Sequence, residues 1–291
     1  MKRFTGAGVA MITPFTEKNK IDFNGLEKII DNQVNGGTDY LVALGTTAET
    51  PTLTADEKQE IVNFVKQKST GLPLVVGMGG NDTQKIIKRI SKFDFDGVDG
   101  LLMVTPYYNK PSQEGMFRHY IAIAKASPVP VILYNVPSRT GVNLKADTVI
   151  KLAGESDNIT AVKEASGSLA QITRICKYAP DNFTVISGDD AMTLPLITMG
   201  GKGVISVIAN ALPLKLSNLV HKALERNFND AKNQHLELLD LFKLLFKEGN
   251  PAGIKALLNI QGIIENELRL PLCAVSSDTY KKISKAYHKL M

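Results

Sequence analysis

Tryptophan is absent from this chain, histidine occurs 4 times and cysteine only 2 times. Each scarcity excludes something. Without tryptophan, and without aromatic residues interleaved with basic ones, there is no platform on which to stack nucleic-acid bases. Cys176 and Cys273 lie far apart in the chain. They form neither a metal-ligand spacing nor a disulfide framework, which suits a reducing cytoplasm. Lysine and arginine outnumber aspartate and glutamate by 34 to 29, yet no block of like charges occurs. The net charge of +5 is therefore spread over a solvated surface, which draws small anions mildly and offers no arm for nucleic acid. No apolar run approaches the length of a membrane span. Behind Met1-Lys2-Arg3 the apolar stretch is interrupted by Gly6 and Gly8 and ended by Pro14, so a signal peptide is rejected. A cytoplasmic protein with no nucleic-acid or membrane partner is expected.

What is present is a repeating pattern. Eight short apolar runs recur: Gly8–Phe15, Asp39–Gly45, Pro73–Gly79, Gly100–Thr105, Pro130–Val136, Ile159–Glu164, Phe183–Gly188 and Gly203–Ala209. Near-continuous hydrophobicity marks strands buried on both faces of a parallel sheet. Segments of helical period lie between them: Asp22–Asn35, Thr54–Lys66, Asp82–Phe93, Gln113–Ala126, Leu144–Ala153, Ser168–Tyr178 and Ala191–Met199. Thr54-x-x-Glu57 is a capping box. Even alternation of strand and helix favours an α/β protein of the closed (β/α)8 type, a TIM barrel, over an open doubly wound sheet. After Ala211 the pattern is purely helical, over Leu214–Arg226, Asp230–Lys247, Gly253–Glu265 and Ser276–Lys289. Residues 1–211 are thus expected to form the barrel carrying the active site, and 212–291 a helical extension packed on it.

Barrels of this kind place their chemistry at the C-terminal ends of the strands. Lys163 interrupts an apolar strand near such an end. If it is desolvated there, its ammonium is disfavoured and a neutral amine is freed to attack a carbonyl. The alternative is a structural lysine that snorkels to solvent. Tyr107, Tyr108 and Tyr134 also fall at strand ends, as proton-moving groups or as packing. All four histidines, His119, His221, His235 and His288, fall in helical segments, so histidine acid–base chemistry is not expected. Thr46 and Thr47 beside Gly45 suit a small carboxylate, or simply cap a turn. Arg139 after Pro137 suits a bidentate carboxylate clamp, or lies on the surface. Asp94-x-Asp96-Gly97-x-Asp99 lacks the closing glutamate of a calcium loop. Gly77-Met78-Gly79-Gly80 lacks the lysine of a P-loop and the dinucleotide spacing.

Four motifs in order carry a family resemblance: Gly45-Thr46-Thr47-x-Glu49, Pro106-Tyr107-Tyr108-Asn109-Lys110-Pro111, Tyr134 through Gly141, and Lys163-Glu164-Ala165. The chain resembles the dihydrodipicolinate synthase branch of the pyruvate-dependent aldolase/lyase superfamily, from Gly6 to Leu268-Arg269-Leu270-Pro271. The resemblance implies that Lys163 forms a Schiff base with pyruvate, whose enamine adds to L-aspartate 4-semialdehyde on the route to diaminopimelate and lysine. It implies a proton relay of Tyr134, Thr46 and Tyr108, with Tyr108 reaching into a neighbouring subunit's site. Thr47 would help hold the pyruvate carboxylate and Arg139 the carboxylate of the semialdehyde. Gly188 and Ile205 would line the pyruvate pocket. The assembly would be a homotetramer, with no cofactor and no metal. N-acetylneuraminate lyases and keto-deoxy sugar-acid aldolases of the same superfamily are the rival readings, but the second threonine, the paired tyrosines and Arg139 favour the synthase. A dead barrel acting as a sensor has no need of the lysine and its relay.

The resemblance also implies an effector site from Glu49, Ala55, Lys58, Asn81, Lys85 and Tyr107, and here the chain departs from the pattern. Lysine-inhibited members carry an acid where this chain has Lys85, and often histidine where it has Ala55 and Lys58. Like charges repel a cationic amino acid, so feedback by L-lysine is expected to be weak or absent. Ala48 stands where the family usually has glycine, with no expected change of function.

Overall fold

The structure is a computed structural model that describes residues 4–69 and 71–291; the Met1-Lys2-Arg3 start lies outside them. The expected strands form, as β1 (Gly6–Ala10), β2 (Tyr40–Ala43), β3 (Leu74–Gly77), β4 (Gly100–Val104), β5 (Val131–Asn135), β6 (Ile159–Glu164), β7 (Thr184–Ser187) and β8 (Gly203–Ser206). Each pairs in parallel with the next, and β8 pairs back to β1 to close the barrel. The helices that follow the first seven strands are α1 (Phe23–Asn35), α2 (Ala55–Lys68), α3 (Thr83–Ile90), α4 (Gln113–Ala126), α5 (Pro137–Thr140), α6 (Ala146–Glu155), α7 (Leu169–Tyr178) and α8 (Thr193–Thr198). Then come α9 (Pro213–Leu224), α10 (Phe228–Leu244), α11 (Ala252–Ile260) and α12 (Ser277–Leu290).

The short apolar runs are explained by burial on two sides. One set of side chains fills the barrel interior: Ala10, Val42, Val75, Leu102, Ile132, Tyr134, Ala161, Ile186 and Ile205. The alternate residues, such as Leu101, Val131, Leu133 and Val162, pack outward under the helices. Successive side chains on a strand point to opposite faces, so this alternation aims every functional residue above it.

Among the differences from the sequence expectation, three bear on the barrel mouth and its brace. β1 ends at Ala10, although the apolar run continues to Phe15. Beyond Met11 the chain leaves the barrel: Ile12 N donates to Asn210 Oδ1 at 3.0 Å, and Phe15 bridges Ile21. α11 ends at Ile260, and Gly262 with φ 71° turns the chain away before Glu265. The single turn α5, opened by Pro137 and closed by Gly141 at φ 72°, lies outside the expected helical segments.

α9 packs on β1, β8, α1 and α8. We propose that residues 212–291 act as one extension, whose first helix closes the helical ring and whose others brace the mouth. The brace has a charged centre. Glu49, at φ 53°, ion-pairs with Lys255 of α11, and neither side chain is exposed. The Glu49 carboxylate also accepts Arg269 N at 3.0 Å, and Lys255 Nζ donates to Glu267 O at 2.8 Å. Burial holds the Lys255 amine at about 8 despite the opposing pull of Glu49. Arg269 forks onto Glu57 at 2.8 and 2.6 Å. The Lys255 ammonium and the Arg269 guanidinium both lie against the ring of Phe15, at 4.2 and 4.4 Å.

Breaking a buried pair on one side leaves an uncompensated charge. Lys255→Met is therefore expected to remove about 3–5 kcal/mol of unfolding free energy, read from urea melts. A loss below about 1 kcal/mol, the size of an exposed pair, would mean that the Glu49 carboxylate finds water once its partner is gone.

Candidate active site

Inward alternation on β6 places Ala161 and then Lys163 inside the barrel, with Lys163 above and 5% exposed. Its neighbour Glu164 faces outward, where Asn135, Gln171 and the Ser166 amide saturate its carboxylate at 2.7–3.1 Å. Glu164 therefore lends Lys163 no hydrogen-bonded counter-charge. Burial holds the Lys163 amine well below its ordinary range, at about 7. The Asp190 carboxylate pulls it up and the Arg139 guanidinium pushes it further down. At neutral pH a large share of the amine is thus unprotonated and nucleophilic.

On β5 the same alternation carries Ile132 and then Tyr134 inward. The β5–β6 register sets Tyr134 beside Lys163, and the Lys163 Nζ lies 4.5 Å from the centre of the tyrosine ring. Burial pushes the Tyr134 phenol up, while the Arg139 charge and a hydrogen bond with Thr46 draw it back. Tyr134 can therefore pass a proton between the amine side and the Thr46 hydroxyl.

Both threonines sit in the 3₁₀ turn Thr46–Ala48, which has no side-chain cap. Asn250 Nδ2 donates to Thr47 Oγ1 at 3.0 Å, which fixes that hydroxyl from the far end of the chain. Thr46, Thr47, Tyr134, Arg139, Lys163 and Gly188 line one cavity of about 540 Å³ at the barrel mouth. A cavity of that size admits two small acids and the positive groups to hold them.

Gly188 follows the inward residue Ile186 on β7. A Cβ at Gly188 would come within 3.1 Å of Lys163 Cε and Cγ and 2.8 Å of Ala165 Cβ, so the lysine's stem occupies the space that glycine leaves. Asp190 is buried and pushed up to about 6, chiefly by burial. Its Oδ2 accepts the amides of Val207 and Ile208 at 3.1 and 2.9 Å.

Two expected site residues are placed elsewhere. Ile205 lies in the packed barrel interior and is absent from the lining of the Lys163 cavity, where Val207 stands instead. Glu49 cannot serve a soluble effector, because its carboxylate is sealed against Lys255. The other effector candidates do line the mouth's outer side: Ala55, Lys58 and Tyr107 one cavity, Asn81, Lys85 and Tyr107 its neighbour. Tyr108 lines none of these cavities; it is 87% exposed at φ 78°.

Sequence reasoning missed the wall supplied by α10 and the loop after it: Leu239, Phe242, Lys243, Phe246 and Asn250. None of the four histidines lines a cavity described above, and burial holds His119 down at about 4. The Asp94–Asp99 carboxylates have protein partners: Asp94 the Asp96 amide, Asp96 the Lys66 ammonium, Asp99 the Leu74 amide. Among the described residues, no group of three or more histidine, cysteine, aspartate or glutamate residues is placed to hold a metal ion.

Comparisons with known proteins agree with one another. The model of the dihydrodipicolinate synthetase family matches residues 3–290. A 4-hydroxy-tetrahydrodipicolinate synthase of Parabacteroides distasonis is 51% identical, covering 98% of this chain and 96% of its own. The crystal structure of dihydrodipicolinate synthase from Aquifex aeolicus superposes with a TM-score of 0.94 at 40% identity, covering 98% of each chain. The crystal structure of DHDPS from Cyanidioschyzon merolae with lysine bound gives a TM-score of 0.95 at 36% identity, covering 100% of this chain and 99% of that one.

The crowding at Gly188 yields a test. Gly188→Ala is expected to slow imine formation with pyruvate by about 10–100-fold, the usual cost of displacing a reacting group by a fraction of an ångström to an ångström, in single-turnover runs well below the melting temperature. An unchanged rate would mean that the lysine stem has room to spare.

Proposed function

We propose, from the premise that the chain belongs to the dihydrodipicolinate synthetase family, that it condenses pyruvate with L-aspartate 4-semialdehyde through a Schiff base on Lys163. The observation that carries this reading is a desolvated lysine held near 7 in a cavity shared with Tyr134, Thr46, Thr47 and Arg139.

The neutral Lys163 amine adds to the ketone carbon of pyruvate and expels water, giving an imine. The pyruvate carboxylate rests on the turn of Thr46 and Thr47, and the leaving hydroxyl takes its proton from Tyr134. Loss of a proton from the methyl carbon makes the enamine, whose carbon attacks the aldehyde of the semialdehyde. Arg139 holds that substrate's carboxylate. The substrate's own amine then displaces Lys163 from the imine carbon, which closes the ring and frees the lysine. The iminium is the electron sink, so neither cofactor nor metal enters a step.

Tyr108 belongs to this scheme through a second subunit. A non-glycine residue at positive φ costs of order 1–3 kcal/mol, and a tyrosine so strained and so exposed has no packing in its own chain to offset that. A neighbouring copy's site, reached across a tight dimer within a homotetramer, provides it. The unpaired cysteines, Cys176 and Cys273, support a cytoplasmic setting, and among the described residues no helix is long and apolar enough to cross a membrane.

Borohydride reduction with pyruvate, followed by mass measurement, is expected to add one reduced pyruvyl group per chain to the parent and to Tyr108→Phe, and none to Lys163→Ala. The rate of imine formation should rise about tenfold per pH unit below about 7 and flatten above it, because only the unprotonated Lys163 amine reacts. A parent chain that takes no adduct would overturn the assignment. L-lysine is expected to leave turnover unchanged, since Lys58 and Lys85 stand where its ammonium groups would have to lie; half-inhibition below about a millimolar would contradict this.

A further inference from the structure

β2 departs from its own alternation at its last step. Tyr40 and Val42 face the barrel interior, and Leu41 and Ala43 pack outward. Leu44 is next and is due to face inward, towards the mouth in which Lys163 stands. Instead it packs with the outward set and is absent from the lining of the cavity that holds Lys163. A left-handed backbone at Leu44, φ 55°, breaks the alternation. Leucine seldom adopts that conformation, and such strain persists only where the surroundings over-determine it.

Gly77, the last residue of β3, accepts the kink. A Cβ there would lie 2.1 Å from Leu44 O and 3.1 Å from Gly45 N. Any other residue would push the Leu44–Gly45 peptide, and the turn it leads into, away from β3. The far end of the turn is held by the segment that follows β1: Thr13 Oγ1 donates to Ala48 O at 2.8 Å. Thr13 is buried and both its neighbours are pinned. The Ile12 amide donates to Asn210 Oδ1 at 3.0 Å, and the Pro14 carbonyl accepts the Asp22 amide at 2.9 Å. Its hydroxyl therefore has one fixed place. Neither Thr13 nor Gly77 lines the catalytic cavity.

We propose that Gly77 and Thr13 are positioning residues for the pyruvate-binding turn: Gly77 seats its entry, Thr13 holds its exit, and together they keep Thr46 and Thr47 where the carboxylate of pyruvate rests. This rests on the Schiff-base reading of Lys163. Neither residue touches the substrate; each acts through the backbone of residues 44–48. A turn held at only one end would still close, but each pyruvate would have to order its hydroxyls anew, and that ordering is drawn from the binding free energy.

Single-turnover imine formation on the full-length protein, quenched with borohydride over a range of pyruvate concentrations, is the test. Thr13→Val keeps the branched shape and loses the donor. It is expected to raise the half-saturating pyruvate concentration by about threefold or more, as fits one lost buried hydrogen bond. The maximal rate should be unchanged, the pattern of binding lost equally from ground and transition states. Thr13→Ser keeps the donor and should restore the parent value. Gly77→Ala is expected to raise half-saturation by about tenfold or more; the Thr13 variants decide the matter if it does not fold. Equal half-saturation in Thr13→Val and the parent would overturn the proposal. So would a fall in maximal rate alone, which would place the damage at Lys163 or Tyr134. A serine variant no better than valine would make the effect one of packing and overturn it too. A parent that takes no adduct fails earlier and differently: it removes the Schiff-base reading, and this assignment with it.

Discussion

An ammonium group keeps its proton by being hydrated, and the barrel mouth removes that hydration from Lys163. The arrangement around it follows from that constraint. The lysine must be reached from a strand interior, so it sits on β6 with its outward neighbour Glu164 hydrogen-bonded on the other face of the strand. Its stem must pass a close wall, so the residue after β7 is Gly188. Nearby charges act in both directions: the Asp190 carboxylate, held by two backbone amides, pulls the amine up, and Arg139 pushes it down. Tyr134 lies over the amine where water would otherwise stand.

A nucleophile of this kind requires its carboxylate-binding turn to be equally fixed, and the barrel strands alone do not fix it. The Thr46–Ala48 turn is a short loop excursion closed by a left-handed Glu49. Thr13 Oγ1 donates to Ala48 O at 2.8 Å, and further anchoring comes from residues about two hundred positions later, with Asn250 on the Thr47 hydroxyl and Lys255 on Glu49. The helical extension is thus part of the site. It supplies one wall through α10 and the clamp on the opposite loop through α11.

The strands and helices were legible because double burial and helical period are local signals. Lys163, Tyr134 and the two threonines were legible because a polar residue breaking an apolar run at a strand end is also local. What escaped was information held between distant segments. Leu239 and Phe246 read as ordinary helix residues, and nothing near them says that they face a cavity. Glu49 reads as a loop carboxylate free to bind a ligand; only the arrival of Lys255 shows it to be sealed. Ile205 faces the barrel interior, and the sequence shows which face a residue takes, not whether it reaches the cavity. The end of β1 was obscured for a related reason: Met11 to Phe15 stay buried after the ladder stops, so hydrophobicity continues past the strand.

The clamp by Asn250 and Lys255 bears on the order of events at the ribosome. The chain emerges from its N-terminus, so all eight strands, with Lys163, Tyr134 and Gly188 among them, are outside before the segment that secures their entrance loop has been made. Until then Glu49 carries a charge with no buried partner, and the cheapest place for it is water, with the loop swung outward. The entrance loop is secured only once Asn250 and Lys255 have followed the eight strands out.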